Sequence, residues 1–392
     1  MNKKARQTKK AFSLLEVVII MILTCLVSIF IGSVVTFISI KTNTHTETKT
    51  VETNIKLKDF EDTYNNILDN YYYQINEDEL LEAAIDGMVD YLNDPYSKII
   101  DSEDAISFVE NIKGEYIGVG CEFKKENNNL VVTKIIKGSP AEIEGLKLGD
   151  IVLEIDNNDI HNKTMTELSN MLTGKINSSI SLKIKRDGEE KIINITRKKI
   201  DVPSVESSIE ISSNKRIGVL KINIFAANTY KQFKKELKSI ETEGIDALVI
   251  DVRDNSGGYL SSASNIASLF LKKNKIIYQL KSKEDKKPIL DETKEERDYP
   301  ISVLINKDTA SAAEVLALSL KESYGATLVG TNTYGKSKIQ IAKQLTSGSV
   351  LKYTVEEWIS PSGKSVDGAG ITPDIEEENI NEQLNIAIKA LN

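Results

Sequence analysis

Forty residues restrict this chain more than any others: Ile301–Gln340, ISVLINKDTASAAEVLALSLKESYGATLVGTNTYGKSKIQ. An apolar strand runs into a small-residue elbow that holds Ser311, and an alanine-rich helix follows. A second apolar strand, Ala326–Gly330, leads to a glycine-flanked Lys336. Strands alternating with helices require an α/β layer. The same stretch supplies a hydroxyl at a helix mouth and a lysine on the next turn, the two parts of a serine–lysine nucleophile. Each has a plainer reading alone. Ser311 with Glu314 three residues on forms a helix-capping box, and a single lysine is ordinarily just solvated.

The pair changes the balance, because both residues follow buried-looking strands and both are flanked by small residues that admit a substrate. A serine hydroxyl needs a base to attack an amide. Only two histidines occur, His45 and His161, in polar stretches far apart, and neither lies in a triad-like motif. A lysine whose pKa is lowered by burial can take that place. A third element is Asp251–Gly258 (DVRDNSGG). Its paired glycines at a strand-to-helix turn can aim N–H groups at a developing oxyanion. Gly330–Ser337 also matches the phosphate-loop pattern GxxxxGK followed by Ser or Thr. That loop requires a helix directly after its lysine, whereas Ser337–Leu345 alternates like a strand. The would-be Walker B strand Ala247–Asp251 also comes first in the chain, so nucleotide binding is not expected.

The remaining chain reads as anchoring and delivery. Residues 1–10 form a basic cytoplasmic tail with Lys3, Lys4, Arg6, Lys9 and Lys10. The formal charge of −8 therefore leaves −13 for the rest, which argues against nucleic acid as a partner. With two cysteines and two histidines in 392 residues, no disulfide framework, metal site or cofactor is expected. Residues 11–40 are an apolar run in which Val17–Ile40 is long enough to cross a hydrocarbon core at roughly 1.5 Å per residue. The basic flank puts the N-terminus in the cytoplasm and the bulk of the chain outside, at the cell membrane. No small-x-small cleavage site follows, so an uncleaved single-pass signal anchor in the lipid membrane is expected. Ala11–Glu16 (AFSLLE) resembles the cleavage region of type IV prepilins, with Ala11 where glycine usually stands. An anchor with one tolerated Glu16 is the simpler account.

Residues 41–54 are a polar stalk. Residues 55–112 form a helical module that begins with two amphipathic patterns between Ile55 and Tyr91. Asn93-Asp94-Pro95 stops the second helix, and Tyr71-Tyr72-Tyr73 reads as core or as a dimer surface. Residues 113–200 change to short alternating strands: Gly118–Phe123, Leu130–Ile136, Ile151–Ile155, Ser181–Arg186 and Lys191–Arg197, with one helix, Thr166–Leu172. Gly138-Ser139-Pro140-Ala141 through Gly145-Leu146-Lys147-Leu148-Gly149-Asp150 resembles the signature of PDZ domains. In such domains an open strand edge captures an extended peptide, often by its C-terminus. Here the loop ahead of that edge is Tyr116–Gly120, with the N–H groups of Ile117, Gly118, Val119 and Gly120 available to a terminal carboxylate. Residues 201–392 form the α/β core around the opening stretch.

From about Tyr64 to its end the chain resembles the C-terminal processing peptidases, or tail-specific proteases. The matching motifs are Glu82–Ser97 (EAAIDGMVDYLNDPYS), the PDZ signature, RDNSGG at Arg253–Gly258, TASAAE at Thr309–Glu314 and GKSKIQ at Gly335–Gln340. Pro361-Ser362-Gly363 and Gly370-Ile371-Thr372-Pro373-Asp374 complete the set. Together with the transmembrane helix read from residues 11–40, the resemblance implies a multidomain α+β chain: an N-terminal transmembrane helix, a small helical module, a PDZ β-sandwich or barrel, and an α/β peptidase core. It implies Ser311 as nucleophile, Lys336 as general base and Gln340 as the group orienting the lysine. The N–H groups of Gly257 and Ala312 are then the oxyanion hole, and the substrates are proteins or peptides with exposed C-terminal tails. A homodimer through the Ile55–Tyr91 helices comes from the resemblance alone. Ser256 stands where the family often has Pro, Ala313 where it often has Ser, and Thr173 where many members carry Arg. The last departure leaves open how, or whether, peptide binding gates activity. The reading from another class is a PDZ scaffold that binds tails without cutting.

Overall fold

A computed structural model describes residues 57–126, 129–283 and 285–391. The basic tail, the apolar run 11–40 and the stalk lie outside them, and among the described residues no helix is long and apolar enough to cross a membrane. Among the described residues, 57–87 and those from Met88 onward belong to two compact units. A helix over residues 57–70 lies in the first, and a second helix, Glu77–Asp90, has most of its length there. Asn76 starts the second helix. Its Oδ1 accepts from Asp78 N–H at 3.0 Å and its amide donates to Glu79 at 3.1 Å, with Glu77, Asp78 and Glu79 at the positive end of the helix dipole. Tyr71, Tyr72 and Tyr73 are exposed and pack ring against ring at 4.9–5.8 Å, so they are not core of this unit.

The second unit contains a small β domain. Its sheet runs Cys121–Glu126, Asn129–Ile135, Ile151–Ile155, Ser179–Arg186, Glu189–Thr196, each pair antiparallel. Alternate residues such as Ile180, Leu182 and Ile184 enter one core with Leu146 and Leu168. One strand was expected over Gly118–Phe123. Two are observed: Glu115–Gly118, paired with Lys198–Asp201, and Cys121–Glu126. The break falls at Gly120, where φ is +86° and a Cβ would sit 2.3 Å from Ser139 Cβ. A glycine is needed there.

The main sheet of the same unit runs Val205–Ser212, Lys215–Ile222, Ala247–Asp251, Ile301–Ile305, Thr327–Gly330, Ile375–Glu376. Its first pair is antiparallel and the rest are parallel. Parallel strands are buried on both faces, and every residue of Ala247–Asp251 and Ile301–Ile305 is buried. Leu248 and Ile250 pack with Phe233, Ile266 and Leu316 from three helices, while Ala247 and Val249 pack with Ala387 and Ile388 of the last helix. A second sheet holds Lys98–Ile100, Val350–Ile359, Ile276–Lys281 and Lys286–Leu290, with Lys338–Gln344 paired to Val350–Ile359. Because Lys338–Gln344 is a strand, the helix that a phosphate loop demands is not there. Three loops leave the carboxyl ends of neighbouring parallel strands, after Asp251, Ile305 and Gly330. That edge is where open α/β sheets place their ligands.

Candidate active site

Ser311 is the pivot between strand Ile301–Ile305 and helix Ala312–Ser319. Its backbone sits at φ 55°, ψ −119°, a conformation that costs a residue with a Cβ of order 1–3 kcal/mol. The neighbouring loop imposes it. Thr309 Oγ1 donates to Val252 O and accepts from Asn306 N–H, both at 2.9 Å, and Ala310 N–H donates to Asn255 O at 3.0 Å. Ser311 N–H donates to Glu314 Oε2 at 2.8 Å.

Glu314 does more than cap. Its side chain is 0% exposed, and the same Oε2 accepts from Lys336 N–H at 2.9 Å. Oε1 accepts from Thr333 Oγ1 at 2.6 Å and from Gly335 N–H at 2.8 Å. Four donors offset the cost of burying this charge. One carboxylate therefore ties the serine elbow to the lysine turn. From the other side, Trp358 Nε1–H donates to Lys336 O at 3.0 Å and Trp358 N–H to Ser337 O at 2.9 Å.

The Lys336 side chain is half-buried. Burial first, then the charge of Lys352, push its pKa below the ordinary lysine value, while Asp94 and Glu314 pull it back up. Nζ stands over the Tyr96 ring, 4.7 Å from its centroid, and among the described residues no hydrogen bond joins it to Ser311. Gln340 Nε2 donates to Lys338 O at 2.9 Å and to Thr354 Oγ1 at 3.2 Å, bracing the strand on which it lies.

Gly257 lies against Ser311. A Cβ there would come within 2.8 Å of Ser311 Cβ and 3.0 Å of Ala312 N, and φ is +99°, so only glycine fits. Its N–H donates to Asn255 Oδ1 at 2.8 Å, while Asn255 Nδ2 donates to Ile222 O at 2.8 Å. Ala312 opens its helix, where an N–H has no intrahelical partner. Both expected oxyanion donors thus adjoin Ser311, with that of Gly257 turned to Asn255. In the β domain, Ile117 and Gly118 end strand Glu115–Gly118, and Val119 and Gly120 turn into Cys121–Glu126, the outer strand of its sheet. Ala141 N–H donates to Val119 O at 2.8 Å. Ile117 N–H is held by the Glu110 carboxylate, whose pKa burial pushes above the usual range.

Residues 216–377 match the family model of peptidase family S41, residues 117–196 that of the PDZ domain, and residues 29–104 that of the activating protease CtpB N-terminal domain. A probable CtpA-like serine protease of Staphylococcus aureus (strain bovine RF122 / ET3-1) is 35% identical over 360 residues, covering 89% of this chain and 71% of its own length. The chain belongs to peptidase family S41.

A probable CtpA-like serine protease of Staphylococcus epidermidis (strain ATCC 12228 / FDA PCI 1200) is 35% identical over 358 residues, 90% of this chain and 72% of its own length. Another, from Staphylococcus aureus (strain MRSA252), is 36% identical over 322 residues, 81% of this chain and 64% of its own. The chain therefore spans between 64% and 72% of these relatives. The solved photosystem II D1 C-terminal processing protease shares the fold, with a TM-score of 0.50 and 23% identity over 83% of this chain and 89% of that one. The α/β layer is the peptidase core of this S41 chain, beside its PDZ domain. From sequence, Glu314 reads as a cap within TASAAE, and Asp94 and Tyr96 fall within the Glu82–Ser97 motif with no chemistry attached to them, while Thr333 and Trp358 carry no signal of a role. What hides them is distance: Thr333 shares the Glu314 carboxylate from 19 residues away.

Proposed function

We propose that this S41 chain is a membrane-anchored serine endopeptidase whose PDZ domain captures C-terminal protein tails and whose Ser311–Lys336 pair cleaves them. The observation that carries this reading is the Glu314 carboxylate, which accepts from Ser311 N–H and Lys336 N–H through one oxygen. In the reaction, uncharged Lys336 Nζ turns from the Tyr96 ring and takes the Ser311 Oγ proton as that oxygen attacks the substrate carbonyl carbon. The oxyanion is met by Ala312 N–H and by Gly257 N–H, which exchanges Asn255 Oδ1 for substrate, at about 3 kcal/mol per donor. The Lys336 ammonium then protonates the leaving amine, and water repeats the sequence to release the acyl group. The outer strand Cys121–Glu126 offers a tail its backbone edge. Residues 11–40 anchor the chain with this apparatus outside the cytoplasm.

The test uses the full chain in detergent micelles with a reduced, carboxymethylated protein as probe. Ser311→Ala and Lys336→Ala each abolish cleavage without lowering the melting temperature, and hydrolysis retained in either overturns the assignment. Tail binding by the wild type without fragments identifies a scaffold instead. Because Lys336 must be neutral and burial lowers its pKa, activity rises with pH, with a midpoint below the ordinary lysine value. A flat profile between about pH 6 and 9 contradicts a lysine base.

A further inference from the structure

The segment Asn93–Ser97 reads from sequence as a helix stop and as the end of the Glu82–Ser97 motif, with no chemistry attached to it. In the fold it is a strap laid along the lysine. Strand Lys98–Ile100, directly after it, pairs antiparallel with Val350–Ile359, Lys98 opposite Lys352. Ser97 Oγ accepts from Thr354 N–H at 3.2 Å and donates to Asp94 Oδ2 at 2.6 Å. Tyr96 N–H donates to Asp94 Oδ1 at 3.1 Å. These bonds fold the strap so that the Asp94 carboxylate acts on the charge of Lys336 and the Tyr96 ring lies under its Nζ. The strap also walls a cleft of about 670 Å³ completed by Tyr334, Gly335, Lys338 and Asp367, so a substrate entering there meets the strap and the lysine turn together.

We propose that Asp94 and Tyr96 are positioning residues for the general base, docking the ammonium form of Lys336 beside the cleft and delaying its release as a free amine. The proposal rests on the Ser311–Lys336 reading. An anionic carboxylate and the negative face of an aromatic ring both favour a cation over an amine. They work against burial and against Lys352, which is itself half-buried with its pKa lowered by burial and by Lys98. Glu314, from its helix, adds to the pull of Asp94. Burial works to raise the Asp94 pKa, but hydrogen bonds from Ser97, Thr354 and Tyr96 N–H hold it below the usual carboxylate value. Asp94 therefore stays charged wherever the lysine titrates. Burial, then Tyr334, Asp367 and Asp94, raise the Tyr96 pKa, so its ring stays neutral.

The test compares pH profiles of kcat/KM for the full chain on the carboxymethylated probe. Asp94→Asn removes the charge and Tyr96→Leu removes the ring. In each the acid limb moves to lower pH by about half a unit to one unit, a three- to tenfold gain at a fixed pH on that limb. Tyr96→Phe keeps the ring and returns the limb to its wild-type position. A side-chain NMR titration of ¹³C-labelled lysine in Ser311→Ala protein reads the same shift without turnover. An unmoved limb with a uniformly lower rate makes the strap a brace of the fold and overturns the proposal, as does a shift to higher pH. If Asp94→Asn fails to fold, the Tyr96→Leu and Tyr96→Phe pair decides. Hydrolysis by Lys336→Ala brings down the dyad itself, whereas a dead Lys336→Ala with unmoved limbs brings down only the strap.

Discussion

Replacing Glu314 by Gln tests whether one buried carboxylate couples the two halves of the site. Each oxygen takes two donors: Oε2 those of Ser311 N–H and Lys336 N–H, Oε1 those of Thr333 Oγ1 and Gly335 N–H. Glutamine keeps the shape but has one acceptor oxygen and an NH₂ that accepts nothing. In its better placement the NH₂ lies on the Thr333 side, where the hydroxyl can turn and accept, and only Gly335 N–H is stranded. The reverse placement strands both Ser311 and Lys336 N–H. The better placement leaves one buried donor unsatisfied, about 1–3 kcal/mol, and weakens the remaining bonds by removing the charge, about 1 kcal/mol more. We expect a loss of about 2–4 kcal/mol, and more for Glu314→Ala, which strands all four donors. Trp358, the chain's one tryptophan, is 1% exposed and bonded to Lys336 O, so its fluorescence follows this region in urea. The midpoint should fall at unchanged slope, with hydrolysis falling further than the folded fraction. A Glu314→Gln chain within about 0.5 kcal/mol of wild type and fully active refutes the coupling.

Two other substitutions probe neighbouring claims. Gly257→Ala places a methyl 2.8 Å from Ser311 Cβ on a backbone at φ +99°, and hydrolysis of the unfolded probe should drop about 100-fold or more. A drop of less than about fivefold removes the Gly257 turn from the site. Burial, then the charge of Glu122, push the Cys121 thiol up to about 12, so at pH 8 its thiolate is scarce. In a Cys25→Ser chain, iodoacetamide should label folded Cys121 about 1,000-fold more slowly than the urea-unfolded thiol, and similar rates would refute the burial argument.

By itself the sequence determined what short-range physics can express. Alternation located the strand Ile151–Ile155 residue for residue, and it distinguished the strand after Lys336 from the helix of a phosphate loop. Small residues at the elbow marked Ser311, and the ordered motifs marked the family. The break at Gly120 escaped, because the reason for it is the close pass of Ser139, not anything in Gly118–Phe123. Tertiary structure alone decided which groups adjoin Ser311 and Lys336. Glu314 gains its second function, Trp358 its hold on Lys336, and Asp94 and Tyr96 their place beside the lysine only when strands far apart in the chain pair, as Lys98 does with Lys352. Periodicity records which face a residue turns to the core. It carries no record of which distant donor will share a buried carboxylate, and that sharing is what joins Ser311 to Lys336.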